Sequence, residues 1–190
     1  MRALFATCMI AASVVSQDTI RIGAKRFTES VVLAELMAQT IEAHTDLTVE
    51  VNTGLGGTMI CWGALTSGEL DIYAEYTGTG WATILGQTDK VTDPLSTFFE
   101  VRRRFRDEFD AHWLEPFGLN NSYAIAMREK TAEELGIRRI SDLVRHQRDL
   151  QVGFGNEFGS RTDGYRGLAA AYGLDFANMT TVEHALAYEA

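Results

Sequence analysis

The chain is poor in cysteine and in basic residues. Its 190 residues contain two cysteines, Cys8 and Cys61, and 17 lysines and arginines against 26 aspartates and glutamates. If Cys8 is removed with the N-terminal apolar run in which it lies, no disulfide can form within the chain. A net charge of −9 argues against a nucleic acid partner, because proteins that bind nucleic acids are usually basic. The acidic surface either keeps the protein soluble or attracts a cationic ligand.

Motifs for catalysis are also missing. The sequence has no Walker loop, no G-x-S-x-G, no H-E-x-x-H and no C-x-x-C. The glycine-rich GLGG at residues 54–57 lacks the full spacing of a dinucleotide fingerprint. Four histidines stand singly and are expected at the surface or at helix ends, namely His44, His112, His146 and His184. The sequence therefore predicts neither an enzyme nor a bound cofactor or metal.

An apolar run lies at the N-terminus. Residues 4–15, preceded by Arg2, are too few to span a bilayer comfortably. A basic start, an apolar middle and small residues near the end predict a signal peptide over residues 1–16, cleaved after Ser16. A signal peptide implies that the protein is exported and acts outside the cytoplasm. A misplaced start codon and a linker from a preceding membrane domain are the alternatives.

Strand and helix patterns alternate along the first part of the chain, which is typical of a parallel α/β sheet. Alternating apolar residues predict strands at 19–24, 47–53 and 70–76. A helix capped by Thr28 and a helix ending at Gly68 are expected between them. Asp93 and Pro94 predict the start of a helix that runs to about Phe109.

The pattern restarts after Pro116. We expect strands at 122–127 and 150–154, short helices at 131–135 and 141–146, and longer helices at 162–172 and from Thr180 onward. These patterns predict one lobe over residues 17–117 and a second over residues 118–190. The second lobe has too few strands for a sheet of usual size, so we expect it to be incomplete.

Two tyrosines beside turns suggest a site for a cation. Tyr76 ends the third strand in EYTGTG, and Tyr123 lies in NNSYAIAM. A quaternary ammonium group has no N–H to donate, so aromatic faces hold it through cation–π attraction; two half-buried tyrosines with satisfied hydroxyls are the alternative. Lys25 and Arg161 are able to bind a carboxylate, with Thr79 as a further donor, although each taken singly also fits a surface or turn residue.

With these residues assembled, the chain resembles the substrate-binding proteins of osmoprotectant ABC transporters. Members of that family recognise glycine betaine, choline, carnitine and related quaternary amines. The matching segments follow the family order over residues 19–190, and they are IGAKRFTES, GLGGT, ALTSGELDIYAEYTGTG, GLNNSYAIAMR, ISDL, FGNEFGSRTDG and EHALAYEA. The resemblance implies an α/β, type II periplasmic-binding-protein fold with two lobes and a hinge, truncated at its C-terminal side.

The resemblance also implies roles for the candidate residues. Tyr76 and Tyr123 correspond to members of an aromatic cage, and Lys25, Thr79 and Arg161 to contacts on the carboxylate side. The implied partners are a quaternary ammonium small molecule and a cognate ABC permease, without nucleic acid. A binding domain fused to a permease, an effector-sensing domain of a regulator and a nonfunctional fragment are the alternatives.

Overall fold

A computed structural model describes residues 19–89, 93–183 and 186–187. The predicted signal peptide, residues 1–16, lies outside the described residues. Among the residues that are described, no helix is long and apolar enough to cross a membrane.

A parallel three-stranded sheet organises the first part of the chain, which we call the three-strand region. The sheet has the strand order β2-β1-β3, with the ranges given below. A π-helical turn at Gly80–Ile84 directly follows the short helix α3. The elements of this region are β1 (Thr19–Gly23), α1 (Thr28–His44), β2 (Thr48–Asn52), α2 (Thr58–Thr66), β3 (Ile72–Tyr73), α3 (Thr77–Thr79) and α4 (Pro94–Phe109). The predicted order of strands and helices is confirmed here.

Apolar residues at strand and helix spacing build two cores in this region. Ile22 on β1 packs with Ala34 and Ala38 of α1, so α1 covers one face of the sheet. Val101 and Phe105 of α4 pack with Trp62 of α2 in a second cluster. Because the three strands are parallel, their carboxyl ends share one edge of the sheet.

A smaller parallel sheet organises the second part of the chain, which we call the two-strand region. Its core contains Leu143, Leu174 and Phe176, while all four residues of its last strand are exposed. The elements are α5 (Glu129–Leu135), a 3₁₀ turn (Ile140–Arg145), β4 (Gln151–Phe154), α6 (Asn156–Ser160), α7 (Tyr165–Tyr172) and β5 (Asn178–Thr181). The sheet consists of β4 paired with β5.

Three predicted elements differ in the structure. The strand at residues 122–127 is wrong, because the segment has no regular structure and a strand needs a hydrogen-bonded neighbour. The helix from Thr180 is wrong at its start, because Thr180 and Thr181 pair with β4 as part of β5. The strand at residues 70–76 is shorter than predicted, since only Ile72 and Tyr73 pair with β1. The lobe boundary at residue 117 stays a prediction.

Two of the three residues predicted to lie at helix ends are confirmed. The Asp93 side chain accepts a hydrogen bond from the Ser96 N–H at 2.8 Å and caps α4. Gly68 lies just past α2 with φ +75°, a conformation that suits glycine. The predicted cap at Thr28 is wrong, because Thr28 is already helical and Phe27 is the cap, without a side-chain bond.

Candidate ligand-binding site

A buried ion pair lies where β1 and β3 end. Gly23 pairs with Tyr73 in the sheet, so Lys25 and Glu75, each two residues further on, meet at the same edge. The Lys25 Nζ lies 2.6 Å from the Glu75 Oε1, and their side chains are 2% and 6% exposed. Nζ also donates to the Thr58 hydroxyl at 3.2 Å. Lys25 therefore has an internal counterion within the site.

Glu75 is held on one oxygen and unpaired on the other. Its Oε1 also accepts the Tyr76 N–H at 2.8 Å. Its buried Oε2 has no hydrogen-bond partner among the described residues. Glu75 lines a cavity of about 60 Å³ together with Trp62 and Tyr73, which is large enough for water. Burial, followed by the charge of Glu75, raises the pKa of Tyr73, so the Tyr73 hydroxyl in the same cavity stays protonated.

Tyr76 is fixed by hydrogen bonds at its hydroxyl. The hydroxyl donates to the Glu29 carboxylate and accepts from the Asn121 amide at 3.2 Å. The ring centroid lies 5.0 Å from the Lys25 Nζ and stacks at 6.3 Å on Phe27. Burial, followed by the bond to Glu29, raises the pKa of Tyr76, so the hydroxyl stays neutral and able to donate.

Thr79 and Arg161 join the two regions. The Arg161 Nη1 donates to the Thr79 hydroxyl at 3.0 Å, and its Nη2 lies 2.7 Å from Asp163. The Arg161 guanidinium lies 6.0 Å from the centroid of the Tyr123 ring. Tyr123 contacts Phe158 at 4.8 Å between ring centroids and is 60% exposed. It thus lies at the rim rather than in the interior.

Glu157 places a carboxylate at the start of α2. Its Oε1 accepts the Thr58 N–H at 2.6 Å, a favourable position because the N-terminus of a helix carries partial positive charge. A Cβ on Gly57 would lie 2.7 Å from the same oxygen, so a larger residue there would displace the Glu157 carboxylate. Thr58, Glu157 and Arg161 line a cavity of about 250 Å³ between the two regions.

The five predicted residues fall into two groups, and one of the five, Arg161, lines this cavity. Lys25 and Tyr76 form one group in the three-strand region, while Thr79, Arg161 and Tyr123 form the other across both regions. Their roles in binding stay a prediction.

Sequence reasoning missed three acids, namely Glu29, Glu75 and Glu157. Each lies in a quoted segment, and Glu29 and Glu75 lie within five residues of Lys25 or Tyr76. For Glu75 the available signal was its place next to Tyr76, a predicted cage tyrosine.

One cysteine lies on α2, close to the charged residues of this site. Cys61 is a free, fully buried cysteine, and burial raises the pKa of its thiol to about 11. Within the described residues, no group of three or more histidines, cysteines and acids is placed to hold a metal ion.

Two parallel α/β units with a cavity between them have the architecture of a solute-binding protein. The chain belongs to the family described as OpuAC, the substrate binding domain of ABC-type glycine betaine transport systems, whose model matches residues 18–190.

Relatives of known role agree with this family. The chain is 33% identical over 177 residues to a carnitine transport binding protein, OpuCC, of Listeria monocytogenes, covering 92% of the chain and 57% of the relative. It is 36% identical over 188 residues to a glycine-betaine-binding protein of Pseudomonas aeruginosa, covering 93% and 59%. The chain therefore spans less than two thirds of the length of these two curated relatives.

A solved structure confirms the predicted fold class. The fold matches that of a glycine betaine/carnitine/choline ABC transporter protein with a TM-score of 0.61 and 26% identity, over 90% of this chain and 63% of the other. The α/β architecture of a periplasmic substrate-binding protein is thus present, in part.

Proposed function

We propose that this protein is a solute receptor of an ABC importer for quaternary ammonium osmoprotectants. Tyr76 and Tyr123 bind the ammonium group, and the cavity between the two regions takes the rest of the ligand. The protein acts outside the cytoplasm, passes its ligand to a membrane permease, and carries out no reaction itself.

The contact between Tyr76 and Asn121 carries this proposal. The Asn121 amide reaches the Tyr76 hydroxyl at 3.2 Å, and Asn121 is only two residues from Tyr123. The two candidate cage residues, far apart in sequence, therefore belong to one locality at the edge of the sheet. Family membership supports the same ligand class.

The cavity is of a suitable size for a small metabolite. Its volume of about 250 Å³ lies just below the range of about 300–1,000 Å³ typical of pockets for larger ligands. A quaternary ammonium group is attracted by ring faces and by nearby carboxylates without any N–H bond. Closure of the two regions over the ligand would strengthen these attractions by excluding water.

Isothermal titration of the purified chain with choline and with glycine betaine tests the proposal. We expect binding by the wild-type chain. Tyr76→Ala should weaken it by about 1–2 kcal/mol, or roughly 5–30-fold, the size of one desolvated cation–π contact.

Tyr172→Ala is the matched control, because this exposed tyrosine ends α7 and is expected to leave affinity unchanged. Far-UV circular dichroism should show that both variants are folded. The absence of heat from both ligands with a folded wild-type chain, or equal affinities for the wild type and Tyr76→Ala, would contradict the proposal.

A further inference from the structure

We infer that the site selects a quaternary amine that has a net positive charge and a hydroxyl, as choline has, over zwitterions such as glycine betaine. This inference rests on the proposed function and narrows its ligand class. It comes from the balance of charges around Tyr76 and Arg161 and from the partners that those charges already have.

Acidic side chains outnumber basic ones at the site. Two cations, Lys25 and Arg161, lie in this locality, and the acids that surround them and Tyr76 are Glu29, Glu75, Glu157 and Asp163. The excess of two negative charges favours a ligand with net positive charge. A zwitterion brings no net charge to compensate for this excess.

Both cations that a ligand carboxylate would need are already engaged. Lys25 is paired with Glu75 at 2.6 Å, and Arg161 is paired with Asp163 at 2.7 Å. The neighbouring Arg26 reaches Glu183 at 3.8 Å. A ligand carboxylate would have to displace one of these acids, and therefore gains little from the basic groups of the site.

The place most suited to an anion is also occupied. Glu157 accepts the Thr58 N–H at the start of α2 at 2.6 Å, where helix N–H groups favour negative charge. A ligand carboxylate in the adjoining cavity would face this acid at close range, which is unfavourable.

A hydroxyl on the ligand fits the same place. Glu29 and Glu157 accept only uncharged donors among the described residues, including Tyr76, Asn121 and the Thr58 N–H. Each carboxylate has further acceptor capacity. Choline can donate its O–H to such an oxygen, whereas glycine betaine has no donor.

Titration of the purified chain with choline, glycine betaine and carnitine tests the inference. We expect choline to bind at least about tenfold tighter than glycine betaine, because hydrogen-bonding groups discriminate strongly between ligands with and without a donor. Carnitine has both a hydroxyl and a carboxylate, so it distinguishes the effect of the ligand carboxylate from that of the ligand hydroxyl. We expect it to bind more weakly than choline.

Glu157→Gln sharpens the test, since an amide can still accept the Thr58 N–H while the charge is lost. The ratio of betaine to choline dissociation constants should fall by about tenfold in this variant. Glu133→Gln, which removes the same charge from the exposed face of α5, should leave the ratio unchanged.

Glycine betaine or carnitine bound as tightly as choline by the wild type would overturn the inference and leave the proposed function standing. An unchanged ratio in Glu157→Gln would overturn the role of that carboxylate. A folded chain that binds none of the three ligands would overturn the proposed function and the inference with it.

Discussion

The three-strand region encloses a charged pair, whereas one ion pair of the two-strand region lies in water. The side chains of Lys25 and Glu75 are 2% and 6% exposed, while those of Arg148 and Asp175, which join the parts of the smaller region, are 70% and 75% exposed. A buried pair has one geometry that the surrounding residues fix, and an exposed pair is weakened by water and salt. The geometry of Lys25 and Glu75 is thus fixed by its surroundings, whereas that of Arg148 and Asp175 is free to vary.

The sheets differ in the same way. Helices cover the three-stranded sheet, whereas all four residues of β5 are exposed. Parallel sheets are usually covered on both faces, and a two-stranded sheet is marginally stable by itself. We therefore expect the two-strand region to depend on its contacts with the larger region, such as those of Glu157 and Arg161.

Removal of one partner of the buried pair should have the largest effect. Glu75→Ala leaves Lys25 buried and unpaired, so we expect a loss of about 3–5 kcal/mol in the free energy of unfolding, measured by denaturant titration. Asp175→Ala, at the exposed pair, should lose less than about 1 kcal/mol. Equal losses of unfolding free energy in the two variants would contradict the difference between a buried and an exposed ion pair.

A double replacement distinguishes lost pairing from lost volume. Lys25→Met with Glu75→Leu removes both charges and keeps apolar bulk, and should recover most of the stability that Glu75→Ala loses. A double variant as unstable as Glu75→Ala would mean that packing, rather than an unpaired charge, causes the loss.

Helix-capping acids in the two regions test whether the regions unfold together. Asp93 caps α4, and Asp142 accepts the N–H groups of Arg138 and Arg139 at 3.0 Å each. Asp93→Ala and Asp142→Ala should each lower the melting temperature by roughly a few degrees. We expect one thermal transition that both variants shift, because the two-strand region is too small to remain folded alone.

Two separate transitions, each shifted by only one variant, would contradict this dependence. Asp93→Asn is the control, because asparagine also caps helices.

Low pH should weaken both helix caps in the wild type, because the capping carboxylates of Asp93 and Asp142 become protonated. The hydrogen bond with Ser96 lowers the pKa of Asp93, and the Arg138 N–H, followed by that of Arg139, lowers the pKa of Asp142. A carboxylate whose pKa is lower in the folded state stabilises the fold above its unfolded pKa of about 4 and loses this effect as the pH falls through the folded value. The alanine variants should therefore show a flatter decline in melting temperature below about pH 4.

High pH should act on Cys61. Its pKa of about 11 in the folded state lies above the value of about 8.5 for an exposed thiol. Above about pH 9 the unfolded chain loses this proton first, so the free energy of unfolding should fall until about pH 11. Comparison with Cys61→Ala by denaturant titration isolates this slope from that of the tyrosines, and equal slopes would contradict a buried, neutral thiol.

Much of the three-strand region could be predicted because its signals are local. The alternation in β1 and β2, the stripe of α1 and the Asp93 cap each depend on residues within a few positions. The segment at 122–127 shows the limit, because its alternation is consistent with a strand but cannot supply the neighbour that a strand requires. At Thr180 the pairing with β4 outweighed a helical pattern.

The site was predictable in its residues but not in their partners. Lys25 and Tyr76 follow from motifs, whereas the pairing of Lys25 with Glu75 depends on the register of β1 with β3, residues some fifty positions apart in sequence. The position of Glu157 depends on a contact between regions across 99 positions. A local sequence pattern covers only a few residues and cannot predict either contact.

The depth at which Cys61 lies has a practical use. In the chain without residues 1–16 it is the only thiol in the sequence, and with a pKa of about 11 only about one molecule in a thousand carries a reactive thiolate at pH 8. A second cysteine introduced at exposed Leu119 would take a maleimide fluorophore selectively. The protein could then become an optical sensor for its own ligand, without removal of any native residue from the core.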